Sequence, residues 1–295
     1  MGIVKLGVLD FSPVHPGMRA EDAIGATLQL APTVESFGYS RYWLGEHHSS
    51  SVAHSCPELL IPAIVGLTDR MRVGPAGILL GLYSPFKVAK TFKLLHALYP
   101  DRVDLGIARG GVTDDIQPLV QPLVRHGIDQ DAEFKMKVAE LVSYLRGTSR
   151  ITFNPDVRPP DIWMLGSQTT SMQMAACHGT AFSLAKFLGK EPIDEASVFS
   201  TYRDKFLPTH HLPEPTCNIA VAGVCAKTDD EAHALIPVNG PLKVTPTLIG
   251  SPQTCKRELE LLYCRTGVSE FIFLDLCRDF AAKVESYRLL AEALL

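Results

Sequence analysis

The sequence predicts an α/β fold: a (β/α)8 TIM barrel forming a single domain over residues 1–295. Three observations carry this reading. Short apolar, β-branched runs alternate with segments of helical periodicity along the whole chain, and such alternation builds a parallel sheet. The length of 295 residues suits a closed barrel, which takes roughly 250 residues plus insertions. The open doubly wound alternative lacks its fingerprint, because neither GPAGILLG (74–81) nor GIARGG (106–111) fits G-x-G-x-x-G.

Each element has its own signal. IVKLGVLD (3–10) is a short buried strand stopped by a Ser-Pro-Val-His-Pro-Gly loop. Residues 21–38 are helical, with Ala23, Ala26, Leu30, Val34 and Phe37 on one stripe and Gly38 at the stop position. RYWLGEHH (41–48) is the second strand, and a helix over 57–68 opens on Pro57. MRVGPAGILL (71–80) is the third strand, followed by a helix over 85–98. RVDLGIARGG (102–111) is the fourth, and after a loop a helix covers 130–146. DIWMLGS (161–167), TAFSLAKF (180–187), TCNIAVAGVCA (216–226) and SEFIFLDL (269–276) complete the eight strands. Helices over 169–178, 192–206, 251–267 and 280–294 lie between and after them. In the 251–267 helix Cys255, Leu259 and Leu262 share a face, and in the last Phe280, Val284, Tyr287 and Ala291 do.

Composition narrows the function. A net charge of −4 with no basic cluster gives no electrostatic footprint for nucleic acid or an anionic membrane. The longest nearly uncharged stretch, Val73–Tyr83, is well short of the ~20 residues of a membrane helix, so no membrane partner is expected. The N-terminal run is broken by Asp10 and does not read as a secretory signal. Seven scattered cysteines without a C-x-x-C pair argue against a metal site or disulfide framework and fit a reducing, cytoplasmic compartment.

A barrel places its chemistry at the carboxyl ends of the strands. That rule selects Asp10 and Ser12; Glu46, His47 and His48; Ala76 and Gly77; Arg109, Gly110 and Gly111; and Gly166 to Thr170. Gly166-Ser167 opening a helix, followed by Thr169 and Thr170, suits a phosphate cradle of free backbone N–H groups and hydroxyls. Arg109, one strand over, can add a charge-assisted contact. An ordinary helix N-cap and a surface ion pair are the alternative readings of the same residues. If the second strand persists through 48, only one of His47 and His48 faces the mouth, where it suits acid–base work. His54, His210 and His211 fall in loops and are expected to be solvated.

The motifs G-Y-x-R-Y-W-L-G-E-H-H (38–48), V-G-P-A-G-I-L-L (73–80), D-L-G-I-A-R-G-G (104–111), I-W-M-L-G-S-Q-T-T (162–170) and G-S-P near 250 together resemble the bacterial luciferase-like flavin monooxygenases. The L-D-x-S-P of Leu9–Pro13 looks closest to single-subunit members of natural-product pathways. The resemblance implies a (β/α)8 barrel that takes reduced FMN from a separate, transiently bound flavin reductase and uses molecular oxygen to oxygenate a small organic substrate. It implies His47 as the catalytic residue, and Arg109, Gly166, Ser167 and Thr170 at the flavin phosphate. It also implies a non-proline cis peptide at Ala76-Gly77 behind the flavin ring. Asp10, Ser12 and Glu46 are the expected substrate-pocket residues, and a homodimer through the helices at 57–68 and 85–98 is the expected assembly. Two departures stand out: Gln168 replaces a serine frequent among relatives, and the excursion near 236–250 is short. A deazaflavin-dependent hydride transferase and a non-catalytic flavin-binding subunit are the alternative functions of such a barrel.

Overall fold

The computed structural model describes residues 4–110, 129–188, 193–238, 240 and 242–295; Gly111 lies outside them. Nine parallel strands run in one sheet in the order β3 (Arg72–Pro75), β2 (Arg41–Leu44), β1 (Lys5–Asp10), β10 (Glu270–Asp275), β8 (Cys217–Cys225), β7 (Ala181–Ala185), β6 (Asp161–Gly166), β5 (Asp104–Ala108) and β4 (Ile78–Leu79). A parallel bridge between Val73 and Val103 ties the two ends together, so the sheet is nearly closed. The eight expected strands are all present, the third being split into β3 and β4 at Ala76-Gly77. A short extra strand, β9 (Leu248–Gly250), extends alongside β8.

The strands are apolar on both faces because both faces are covered. Leu6, Val8, Tyr42, Val73, Leu105, Phe182, Phe271 and Phe273 belong to the outer core shared with the helices. The alternate positions Leu9, Trp43, Trp163, Ala185, Ala220, Ile272 and Leu274 fill the barrel itself. Each fully buried Leu or Phe contributes roughly 1.5–3 kcal/mol.

The helices are α1 (Ala20–Ser36), α2 (Ile61–Leu67), α3 (Pro85–Leu98), α4 (Gln130–Arg146), α5 (Thr169–His178), α6 (Glu195–Lys205), α7 (Asp229–Leu235), α8 (Pro252–Thr266) and α9 (Phe280–Leu294). Their ends show why they sit there. Asp129, Ser251 and Asp279 each accept a backbone N–H of the following first turn. The expected helix over 57–68 divides into a 3-10 turn at Pro57–Leu59 and α2, whose first turn contains Pro62. The helix α7 was not expected; its Thr228 hydroxyl accepts the Glu231 N–H at 3.2 Å. No described helix is long and apolar enough to cross a membrane.

At the amino end of the barrel, inward side chains form an ion network. Arg41 donates from Nε to Glu270 at 2.8 Å and pairs with Asp104 through a terminal nitrogen. Arg72 bonds Asp104 and reaches Asp161 at 2.9 Å, and the Trp43 indole donates to Asp104 at 2.9 Å. Burial disfavours the Asp104 carboxylate, but Arg41 and Arg72 outweigh it and hold its pKa below the usual value. One-sided removal here leaves a buried charge uncompensated, which is strongly destabilising.

Candidate active site at the carboxyl ends of the strands

The mouth holds a cavity of about 990 Å³, walled by residues after β7 (Phe187, Leu188), by the 236–246 segment (including Leu242 and Val244) and by the end of β10 (Leu274, Leu276). Most of that wall is apolar. The short excursion near 236–250 therefore closes one side of the mouth rather than leaving it bare.

Across the barrel lies the cradle expected on β5, β6 and α5. Gln168 is the N-cap of α5, and its side chain makes no capping bond. Ser167 is half-buried, and Thr169 and Thr170 are exposed. The first N–H groups of a helix lack intrahelical partners and, with the helix dipole, favour an anion. A Cβ at Gly166 would collide with the Ser171 side chain, so the turn depends on glycine. Arg109 directly follows β5, the strand paired with β6; 59% of its side chain is exposed, and it pairs with Asp131 in the first turn of α4. The ion-pair reading of Arg109 thus describes the structure as it stands, while the N-cap reading of the 166–170 segment does not, because no side chain caps α5. Asp131 carried no sequence signal as its partner.

The wall between β2 and β5 carries the Ala76-Gly77 peptide, which is cis as the resemblance implied. A Cβ at Gly77 would lie 2.7 Å from the Gly106 carbonyl carbon, so only glycine allows the split strand to press against β5.

The E-H-H segment departs from the strand geometry expected of it. The strand β2 ends at Leu44, so strand alternation does not assign the faces of His47 and His48. Their partners separate them instead. His48 Nε2 lies 2.7 Å from Glu46 Oε1. His47 Nδ1 lies 3.1 Å from the Ser49 hydroxyl, and its ring meets Phe11 edge-on at 6.5 Å.

Glu46, expected at the substrate pocket, is 5% exposed and turned into the protein. It accepts the Leu79 N–H at 3.0 Å and the Tyr83 hydroxyl at 2.7 Å. Burial raises its pKa although these contacts favour the charge. Ser12, also expected there, is 1% exposed and hydrogen-bonded at 2.7 Å to Thr27 of α1. Asp10 borders the cavity, but its oxygens accept from the Ser12 N–H, Thr27 and Tyr42 at 2.9, 2.6 and 2.7 Å. Burial works against its charge, and Lys283 with these donors more than offsets it, so its pKa is lowered. These three groups therefore brace the mouth from behind. Among the histidines expected in solvent, His210 is exposed, but both ring nitrogens of His54 are buried without a hydrogen-bond partner.

With this geometry in place, similarity to known proteins becomes specific. The luciferase-like monooxygenase family model matches residues 4–245, and the chain belongs to that family. It is 29% identical to the N-acetyl-S-alkylcysteine monooxygenase of Bacillus subtilis over 99% of both chains. The crystal structure of apo-MsnO8 superposes with a TM-score of 0.86 at 30% identity, covering 99% of each chain. The FMN complex of the oxygenating constituent of 3,6-diketocamphane monooxygenase from Pseudomonas putida shares the fold, with a TM-score of 0.75 at 18% identity over 99% and 98% of the two chains. The alignment with the Bacillus enzyme spans 343 positions against 295 residues here, so that relative carries residues this chain lacks.

Proposed function

We propose that this chain is the oxygenase of a two-component system: it takes reduced FMN from a separate reductase and uses molecular oxygen to oxygenate a small, largely apolar organic molecule. The observation that carries the reading is the uncapped amino end of α5 after β6, with Arg109 at the end of the neighbouring strand β5, on the fold of a flavin-using family. These residues fit a flavin phosphate: free N–H groups, the Ser167 and Thr170 hydroxyls, and a guanidinium that can exchange Asp131 for the ligand. Bound there, reduced FMN would supply the electrons that activate oxygen.

The chain's own residues have separate tasks. Arg109, Ser167 and Thr170 hold the phosphate. Ala76 and Gly77 back the ring. His47 moves the proton that oxygen transfer requires, its ring oriented by Ser49 and Phe11. The apolar wall of the 990 Å³ cavity takes the substrate and excludes water. Exposed Leu59, Leu67, Leu94 and Leu98 on and beside α2 and α3 suit a homodimer face. Oxygen consumption with photoreduced FMN, followed by product mass spectrometry on candidate thioethers, ketones and aromatics, tests the reading. Tight binding of a reduced deazaflavin with no oxygen uptake would replace it with hydride transfer. Flavin binding with no turnover on any candidate would favour an accessory role.

A further inference from the structure

The amino end of the barrel, opposite the mouth, has a cavity of its own, about 140 Å³, with Arg41, Arg72, Arg146 and Arg158 in its wall and Asp161 as the one carboxylate among its described lining residues. Three of the four guanidiniums are compensated. Arg41 meets Glu270 and Asp104, Arg72 meets Asp104 and Asp161, and Arg158 lies 3.4 Å from Asp161 and 3.6 Å from Asp101.

Arg146 is different. Its terminal nitrogens donate to the carbonyls of His178 and Gly179 at 2.6 and 2.8 Å, and Nε is buried with no partner. Two carbonyls satisfy hydrogen bonds but leave the charge unmatched. Burial accordingly lowers the Arg146 pKa.

The chain register gathers further unsatisfied groups beside it. The residue after Gly179 is Thr180, whose hydroxyl has no partner; next, Ala181 pairs with Trp163, whose indole N–H also has none. Thr180 and Trp163 are each 1% exposed, and both belong to the cavity wall. A buried donor left unpaired costs about 1–3 kcal/mol, so three at one wall are a large sacrifice for a structural element. A small anion rich in acceptor oxygens is the kind of ligand that answers such donors and neutralises Arg146. The space exceeds the ~30 Å³ share of one water severalfold.

We propose that this amino-end cavity is a binding site for a small tetrahedral oxyanion of the phosphate or sulfate type, held by Arg146, Trp163 and Thr180. The site is independent of the flavin site, and the anion is either the free ion or a phosphorylated or sulfated group on a small metabolite.

The test is thermal denaturation and titration calorimetry of the full chain with sodium phosphate, sodium sulfate, sodium succinate and ionic-strength-matched sodium chloride. The background is Arg109→Ala, which removes the guanidinium from the corresponding cradle at the mouth. Phosphate and sulfate should raise Tm above the chloride control, and succinate should do so less. Arg146→Gln should weaken phosphate binding by about tenfold or more. Thr180→Val, which exchanges only the unpartnered hydroxyl for a methyl group, should weaken it severalfold and keeps the test decisive if Arg146→Gln fails to fold. A phosphate monoester matching the free ion shows that the opening admits a substituted group; its exclusion assigns the site to the free ion. Stabilisation equal to chloride, stabilisation lost in Arg109→Ala alone, or a phosphate-grown crystal with only water in the cavity overturns the proposal.

Discussion

The Glu46 carboxylate accepts the Tyr83 hydroxyl at 2.7 Å and thereby ties the segment after β2 to the segment after β4, across the Ala76-Gly77 peptide. The same carboxylate holds the Leu79 N–H and His48. Glu46→Ala strips three groups of their shared partner and should cost about 2–4 kcal/mol. Tyr83→Phe should cost only about 0.5–1.5 kcal/mol. Denaturant titration checks both. Equal, negligible losses would show that the strap is not formed in solution.

Arg109 is paired with Asp131, so a flavin phosphate bound as proposed has to displace a carboxylate. Arg109→Ala should weaken FMN binding by about 10- to 100-fold and riboflavin binding little. Asp131→Asn should do the reverse, tightening FMN about two- to fivefold, as removal of an exposed pair permits. Fluorescence titration with both flavins reads this directly; equal losses for FMN and riboflavin in Arg109→Ala would refute the phosphate contact.

His47 and His48 should separate in function as they do in bonding. General acid–base groups are typically worth about 10²–10⁴-fold, so His47→Ala should cut single-turnover product yield about a hundredfold or more with reduced-FMN affinity within a few-fold of wild type. His48→Ala loosens the Glu46 strap and should lower stability more than turnover. Near-normal yield in His47→Ala would remove its catalytic assignment.

Asp275 sets a pH dependence. Burial pushes its pKa up to about 6 against the pull of Lys283. A carboxyl raised in the folded state binds its proton more tightly there than when unfolded. Its contribution is fully present below about pH 4 and is lost as pH rises to about 6, by at most about 3 kcal/mol. Asp275→Asn should therefore be the more stable protein at pH 8, with the difference vanishing near pH 4. Paired denaturant curves at the two pH values decide it; a pH-independent difference would place the titration elsewhere.

Much of this molecule can be read from its chain. The strand runs and the helices at 85–98, 130–146, 169–178 and 280–294 lie where periodicity put them, and the cis peptide at Ala76-Gly77 lies where the family resemblance put it. Local signals suffice there, because burial imposes the period. Side-chain direction at strand ends was less legible. Glu46 sits beside two histidines in a motif, yet its partners Leu79 and Tyr83 lie 33 and 37 residues away. The Arg109–Asp131 pair spans 22 residues. Such contacts depend on how strands stack, which no local pattern records. The helix α7 was legible in principle: Thr228-Asp-Asp-Glu231 is a capping signature, but a helix of seven residues leaves too little periodicity to be noticed.

Asp10, Glu46 and Asp275 all stand where barrel enzymes keep their reactive acids, and all have carboxylate oxygens engaged by the protein: Tyr42 and Thr27 for the first, Tyr83 and Leu79 for the second, the Cys277 N–H for the third. A mutational survey scored by activity alone would rank Asp10 and Glu46 beside His47, the proposed proton-transfer group, since losing either slackens the rim of the barrel. The same arrangement gives an engineer a division of labour. The apolar wall over 236–246 and after β7 can be rewritten to admit new substrates, while Asp10 and Glu46 must be inherited intact.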